Sequence, residues 1–151
     1  MTPHEQLNTY IKAHHLRRSR EREDILNLII ELDAHFSTQS LYNNYESRGQ
    51  HIALASFYNA IDFLQQASII IKHPFAGAEQ QYELRERAAT HHHRICTECG
   101  AIKEFTDQKI NRSVNARHFN AFDTHYHSIY LYGICSKCQN KDRKTEVARH
   151  K

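Results

Sequence analysis

Apolar side chains recur at helical spacing through the first third of the chain and predict a series of short helices. A first helix is predicted over residues 7–16. Ser19 suits the N-cap of a second helix, because its hydroxyl can accept a hydrogen bond from the first turn, and the apolar stripe over residues 25–32 predicts that this helix is buried. Ser37 is expected to cap a third helix, which ends where Gly49 suits the position just beyond a helix C-terminus.

The segment at residues 54–64 predicts a helix with one buried and one outward side. Four apolar residues lie on one helical face: Leu54, Phe57, Ile61 and Leu64. Five polar residues lie largely elsewhere on the helix: Ser56, Tyr58, Asn59, Asp62 and Gln66. We therefore expect the apolar side to pack in a core and the polar side to face outward.

A β-hairpin is predicted to follow this helix over residues 69–84. Its first strand is the β-branched run at 69–71, its turn contains Pro74 and Gly77, and residues 80–84 form the returning strand. Three or four helices followed by a hairpin is the element order of a winged-helix domain. The third or fourth helix of such a domain enters the major groove of DNA, as in other helix-turn-helix proteins.

The second half of the chain has a different pattern. Short strands are predicted at residues 91–96 and 102–105, and a helix is predicted at 108–119. The clearest strand signal is the alternation of side chains over residues 126–134. The polar and small residues at 85–90 indicate a boundary between the two halves. The predicted fold class is therefore α+β, with two domains.

Composition narrows the class of protein without naming a function. The chain has 151 residues, of which 40% are hydrophobic and 25% charged, as in ordinary globular proteins. It contains no run of about 18 apolar residues and no secretory leader, so we expect a cytoplasmic protein with no membrane partner. The net charge of +3 is weak evidence for a polyanionic partner, but the basic residues are clustered. They lie in one N-terminal stretch and in the tail: Arg17, Arg18, Arg20, Arg22, Lys141, Arg143, Lys144, Arg149 and Lys151.

All four cysteines belong to two C-x-x-C motifs, formed by Cys96 with Cys99 and by Cys135 with Cys138. Each motif holds two thiolates at the separation that a tetrahedral zinc ion needs, so the two together complete a four-coordinate site. The alternatives are redox-active cysteines or disulfides, and the matched pairs in a chain without a secretory signal favour zinc. Because thiolates fill all four positions, one zinc ion per chain is predicted to stabilise the fold rather than catalyse a reaction.

Histidines and carboxylates form a second candidate site. His91 and His93 are expected to face the same side of a strand, and Glu104 follows on the next strand. Glu83 lies at the end of the hairpin, and His35 lies in the helical half. Imidazoles combined with carboxylates suit iron, manganese, cobalt or zinc. The alternative for each residue taken alone is a solvated surface side chain, and spacing alone does not decide between the two.

Several segments of the sequence resemble the ferric uptake regulator (Fur) family. The segments that carry the likeness, in chain order, are residues 16–26, 35–42, 54–58, 91–105 and 130–138. The resemblance implies a dimeric, metal-dependent transcription factor, usually a repressor, that binds a double-stranded DNA operator. It also implies a winged-helix DNA-binding domain at residues 1–86 and an α/β dimerisation domain at residues 87–151, with the four-cysteine zinc site and the basic tail.

The resemblance assigns roles to individual residues. The family's sensing site bridges the two domains, and its ligands correspond to His35, Glu83, His91, His93 and Glu104. Glu rather than Asp at positions 83 and 104 resembles the iron-type branch more than the peroxide-sensing branch, which implies Fe²⁺, with Mn²⁺ or Zn²⁺ as alternatives. The DNA contacts correspond to Arg17 in the minor groove and to the recognition helix in the major groove, with Ser56, Tyr58 and Asn59.

The recognition helix departs from the family pattern at one position. Asn59 follows Tyr58 where the family usually has Arg. The change removes a charge-assisted contact to a phosphate or to guanine. We therefore expect an operator that differs from the usual one, or weaker binding.

A second metal site of many family members is also altered. Its acidic positions correspond to His92 and Asn111 in this chain. His127 remains and His125 is close to it, so a modified second site would use His92, His125 and His127. The sequence leaves open whether this site survives.

Other functions stay open on the sequence alone. A metalloenzyme would use the His/Glu cluster, but the chain has no H-E-x-x-H motif and no further element to supply a general base, so we expect no enzymatic activity. Asn59 leaves room for a zinc-stapled dimerisation module that has lost DNA binding. Zinc, manganese, peroxide or haem sensing are alternatives to iron. The 13 histidines leave haem sensing open, although no C-x-x-C-H or Cys-Pro motif supports it.

Overall fold

The computed structural model describes residues 1–75 and 79–141, and the chain divides into two compact units, Met1–Ala88 and Ala89–Lys151. Two expectations lie outside the described residues: the hairpin turn at Gly77, and the basic tail beyond Lys141. Over the described ranges, none of the helices combines the length and the apolar character needed to cross a membrane.

The first unit begins with four helices, α1 Pro3–Ala13, α2 Arg20–Leu32, α3 Thr38–Ser47 and α4 Leu54–Gln66. The predicted caps of α2 and α3 are confirmed, because the hydroxyls of Ser19 and Ser37 accept hydrogen bonds from the first turns of these helices. Gly49 has a φ of 78° just beyond α3, as its predicted position requires.

The predicted bounds of α1 are wrong at both ends. The helix starts earlier because Thr2 and Glu5 form a reciprocal capping box around Pro3. It ends at Ala13, and Leu16 lies beyond it with 42% of its surface exposed. A local capping signal therefore outweighs the apolar spacing that placed the helix at 7–16.

The core of the first unit packs around α4. Phe57, Ile61 and Leu64 are buried as predicted, and they contact apolar residues of the preceding helices and of the hairpin. Leu54 was expected on the same face, but it is the first residue of the helix and remains 45% exposed. The polar side of α4 faces outward, as expected.

The hairpin predicted after α4 is confirmed. Strand β1 Ile70–Lys72 pairs antiparallel with β2 Tyr82–Leu84, and Phe36 forms a two-way backbone bridge to Tyr82. A short helix, α5 Arg85–Ala88, occupies the segment that the sequence marks only as a boundary. Helices followed by this hairpin form the predicted winged-helix fold.

The second unit contains β3 His92–Cys96, β4 Ile102–Phe105, α6 Gln108–Asn115 and β5 Tyr130–Gly133. The strand order is β4-β3-β5, with β4 antiparallel and β5 parallel to the central strand. The α+β fold class is confirmed.

Two predicted elements of the second unit are longer than the observed ones. The helix expected over 108–119 ends at Asn115. The Ala116 amide still donates to the Arg112 carbonyl, but the Arg117 amide donates to the Val114 carbonyl in a tighter final turn. The strand expected over 126–134 is observed only at Tyr130–Gly133, where it pairs with His93–Cys96 of β3. The alternating pattern in the sequence therefore covers more residues than the paired strand does.

Candidate metal centres and DNA-reading helix

The four cysteines meet at one end of the three-stranded sheet. Cys96 ends β3, and Gly100 follows Cys99 with a φ of 72°, which a tight turn requires. The parallel pairing of Cys96 with Gly133 brings Cys135, two residues further on, beside the first motif. The prediction that the two motifs converge is therefore confirmed.

The sulfur positions fit a tetrahedral ion. The Sγ atoms of Cys96 and Cys138 lie 3.9 Å apart, those of Cys99 and Cys135 lie 3.8 Å apart, and all four lie within 4.8 Å of one another. Sulfurs bound tetrahedrally at about 2.3 Å from zinc would be separated by about 3.8 Å. All four cysteines are free thiols, and the donor set matches a structural zinc site.

The surroundings of the cluster lower the pKa of two thiols, Cys96 and Cys135, and raise the pKa of Cys138. The backbone amide of Cys135 lies 3.3 Å from Cys96 Sγ, and this contact together with the Cys99 amide lowers the pKa of Cys96 to about 6. A side-chain hydrogen bond with Cys135, and burial, raise the pKa of Cys138 to about 12. Four thiols this close cannot all ionise without a cation, which is what a bound metal ion supplies.

In the first unit, the carboxylate of Glu83 is fully buried and surrounded by three basic side chains. Its Oε1 lies 3.2 Å from His35 Nε2 and 2.6 Å from His73 Nε2, and its Oε2 accepts a hydrogen bond from Arg87 at 2.6 Å. Burial alone would raise the pKa of Glu83, but the hydrogen bonds to His35, His73 and Arg87 and the charge of His35 hold it well below its usual range. The carboxylate is therefore ionised and held in one place.

The sequence reasoning missed His73. A signal was present, because Ile71 pairs with Glu83 across the hairpin and His73 follows Ile71 by two residues. Side chains two apart on a strand share a face, so His73 lies diagonally across from Glu83. That inference needs the register of the hairpin, which the sequence pattern alone does not fix.

In the second unit, His91 lies just before β3 and faces the same side as His93 within the strand, as expected. Their Nε2 atoms are 3.1 Å apart, and both side chains are buried. Glu104 pairs with His93 in the sheet, and its Oε1 lies 3.8 Å from His91 Nε2. The His93 ring stacks on Tyr130, at 5.5 Å between centroids. This arrangement directs two imidazole nitrogens and a carboxylate oxygen toward one another.

His92 points to the other side of β3 and forms a separate polar cluster. The Oδ1 atom of Asn111 lies 2.7 Å from His92 Nε2 and 3.1 Å from His127 Nε2. His92 is fully buried, whereas His125 is exposed and takes no part in these contacts. The structure therefore brings two of the three proposed second-site histidines together, around an amide oxygen.

The outward face of α4 carries the residues expected to read DNA. Ser56, Tyr58 and Asn59 are exposed, and Tyr58 has 43% of its surface accessible. Arg17 is exposed before α2, and its carbonyl accepts a hydrogen bond from Arg22 at 3.3 Å. These positions leave the four side chains accessible to a nucleic acid.

Comparison with known proteins identifies the relatives of this chain. Residues 13–132 match the model of the ferric uptake regulator family. The ferric uptake regulation protein of Klebsiella pneumoniae is 32% identical over 148 residues, covering 95% of this chain and 94% of its own length. That of Escherichia coli K12 is 34% identical over 134 residues, covering 86% and 88% respectively.

Solved structures agree with the sequence relatives. The ferric uptake regulator of Vibrio cholerae matches with a TM-score of 0.60 and 30% identity, over 85% of this chain and 98% of that one. A structure of the Pseudomonas aeruginosa ferric uptake regulator with manganese shares the fold, with a TM-score of 0.70 and 23% identity over 85% and 97%. From the family match, the sequence relatives and the shared fold, we conclude that the chain belongs to the ferric uptake regulator family.

Proposed function

We propose that this chain is an iron-type transcriptional repressor, which binds a double-stranded DNA operator as a homodimer when its regulatory site holds a divalent metal ion. The observation that carries the proposal is a buried set of metal-binding side chains in each unit, Glu83 with His73 in the first and His91 with His93 in the second. The chain belongs to a family of metal-responsive transcriptional regulators. Burying such groups is costly unless they are paired or bind a cation. We expect the protein to act in the cytoplasm, where its operator is accessible.

The regulatory ligands in this proposal are His35 and Glu83 from the first unit and His91, His93 and Glu104 from the second. Within each unit, the ligand atoms converge at the distances given above. Neither set alone offers a complete ligand shell for an octahedral ion, and their nitrogen and oxygen donors suit Fe²⁺, with Mn²⁺ or Zn²⁺ as alternatives. In this proposal, one metal ion would bind both sets of ligands.

These ligands could act as a switch by selecting between domain arrangements. Residues that hold one ion in common favour the interdomain angle at which all of them reach it. In a two-fold dimer, that angle sets the distance between the two recognition helices, and half-sites on DNA are spaced by about one helical turn. His35 and His93 therefore connect metal binding to operator binding in this proposal.

The four-cysteine site would hold one zinc ion per chain and stabilise the second unit. Within the described residues, this unit has a small apolar core: its buried hydrophobic side chains are Ile95, Cys96 and Cys138. Helix α6 buries none of its residues. A unit with so little buried apolar surface depends on a metal or on an oligomeric partner for its stability.

Exposed apolar surface on the second unit supports a homodimer. Strand β5 is an edge of the sheet in the described residues, so one row of its backbone groups is open to pairing. The exposed large hydrophobic side chains of this unit are Phe119, Phe122, Tyr126, Leu131, Tyr132 and Ile134. A second copy of the chain would cover this surface.

Selection of duplexes from random DNA, with and without Mn²⁺ as an air-stable probe of the regulatory site, tests the proposed function. The zinc-loaded dimer should enrich a two-fold symmetric motif with Mn²⁺ and enrich it much less without. A protein that enriches no motif under either condition is not a DNA-binding repressor. A protein that enriches the same motif equally under both conditions is not switched by metal.

A further inference from the structure

The outward face of α4 carries no positive charge. Its exposed polar residues are Ser56, Tyr58, Asn59, Asp62, Gln65 and Gln66, of which Asp62 alone is charged. Guanine is read in the major groove by Arg or Lys, because its O6 and N7 are both acceptors. This face has no Arg or Lys to donate hydrogen bonds to both of these acceptors, so it cannot read guanine by that contact.

Asn59 has the position and the accessibility of a base-reading residue. It is exposed in the second turn of α4, and residues near the N-terminal end of a recognition helix are those that meet base edges. Together with Ser19, Arg22 and Ser56, it lines a cleft of about 330 Å³ between α2 and α4. A base edge can approach its amide from this open side.

The neighbours of Asn59 are already engaged with other groups. The Ser19 hydroxyl donates to Glu21 at 2.6 Å, and the Arg22 guanidinium lies 3.9 Å from the centre of the Phe63 ring. Among the described residues, no group forms a hydrogen bond with the Asn59 amide. Its donor and its acceptor are therefore both available to a ligand.

We infer that Asn59 is a specificity-determining residue that reads one adenine in each half-site of the operator. The amide nitrogen would donate to adenine N7, while the amide oxygen would accept from the N6 amino group. Guanine presents an acceptor where adenine presents this amino group, so the amide oxygen would meet an acceptor there. The inference rests on the proposed DNA-binding function and adds the base that this position selects.

The test repeats the duplex selection with Mn²⁺ on full-length wild-type protein and on three variants. The wild-type motif should contain an adenine that Asn59→Ala no longer prefers, with the discrimination at that base pair falling by about 5- to 150-fold. Asn59→Arg should select guanine at the same position. Gln66→Ala, a matched change of an exposed amide about two turns further along α4, should leave the motif unchanged.

A modified base tests the individual contacts. Replacing the selected adenine with 7-deazaadenine removes the N7 acceptor, so it should weaken wild-type binding while leaving Asn59→Ala unaffected. Equal loss in both proteins, or an unchanged motif in Asn59→Ala, would overturn the inference and leave the proposed function intact. A wild-type protein that selects no motif would overturn both. Zinc content and thermal melting of each variant verify that the substitutions leave the fold intact.

Discussion

At the scale of single residues, His73 is a buried partner of Glu83 that sequence reasoning did not foresee. It is fully buried, and its Nε2 lies 2.6 Å from the carboxylate of Glu83. We predict that His73→Ala lowers the free energy of unfolding by about 1–3 kcal/mol in the absence of regulatory metal, because it removes a buried partner of an ionised group. Urea denaturation followed by circular dichroism measures this change.

A second histidine–glutamate pair provides the control for His73. The Nδ1 atom of His51 lies 3.0 Å from Glu46, but the His51 side chain is 80% exposed. His51→Ala should change the free energy of unfolding by no more than about 0.5 kcal/mol, since solvent screens the exposed pair. Equal losses in the two variants would show that burial does not strengthen the His73 contact.

The cysteines give the residue-scale prediction for metal removal. Cys96→Ser should lose one zinc ion per chain and unfold the second unit, because the metal binding energy of such a site is also folding energy. Elemental analysis and circular dichroism of the purified protein measure both effects. Ser136→Ala, an exposed change inside the second C-x-x-C motif, should retain the zinc. A folded Cys96→Ser protein without zinc would contradict the structural role of the site.

At the scale of elements, the sequence predicts best what local groups determine. Ser19 and Ser37 fix the starts of α2 and α3 through contacts within one turn, and both starts were predicted. The length of β5 depends on its pairing with β3. The alternation of side chains carries no information about that pairing, so it predicts a strand that is too long. The spacing within each C-x-x-C motif is also local, so the sequence predicts that the four cysteines converge. The contacts of His73 with Glu83 and of Asn111 with His92 join residues distant in sequence, and the pattern alone does not bring them together.

Helix α4 carries a prediction about DNA recognition. Tyr58→Ala should lower affinity for the selected operator by about tenfold while leaving affinity for random DNA nearly unchanged, because base contacts rather than phosphate contacts are lost. Arg17→Ala should reduce the slope of log affinity against log salt by about one on both DNAs. Fluorescence anisotropy at several salt concentrations measures both effects. Equal loss on operator and random DNA for Tyr58→Ala would contradict a base-reading role.

Strand β5 carries a prediction about assembly. Leu131→Lys should shift the protein from dimer toward monomer, because it places a charge on an apolar strand edge that we propose to be covered by a second copy. Sedimentation velocity measures the association state. Leu54→Lys is a matched control, since Leu54 is 45% exposed and Leu131 48%, but Leu54 lies on α4. If Leu131→Lys remains as dimeric as Leu54→Lys, the dimer uses another surface.

At the scale of the whole molecule, we propose two metal sites with different ligands and different roles, one that stabilises the fold and one that regulates DNA binding. The four-cysteine cluster lies within the second unit, where we propose that a zinc ion bound to it supports folding. The proposed His/Glu ligands are drawn from both units, and in the proposed switch they connect metal binding to DNA binding. The sequence could propose ligands for both kinds of site, but it could not give the contacts that hold Glu83, since these depend on the hairpin register and on α5.

The measurement that tests this switch most directly is the operator affinity of zinc-loaded wild-type, His35→Ala and His4→Ala proteins, with and without Mn²⁺. We predict that Mn²⁺ raises the affinity of the wild type and of the exposed-site control His4→Ala by about 5- to 150-fold. His35→Ala should keep its zinc and its dimer but show no response, because a metal that no longer distinguishes the two domain arrangements shifts nothing. If His35→Ala responds to Mn²⁺ as the wild type does, the bridging switch is wrong, and the regulatory site must be sought at His92, His125 and His127.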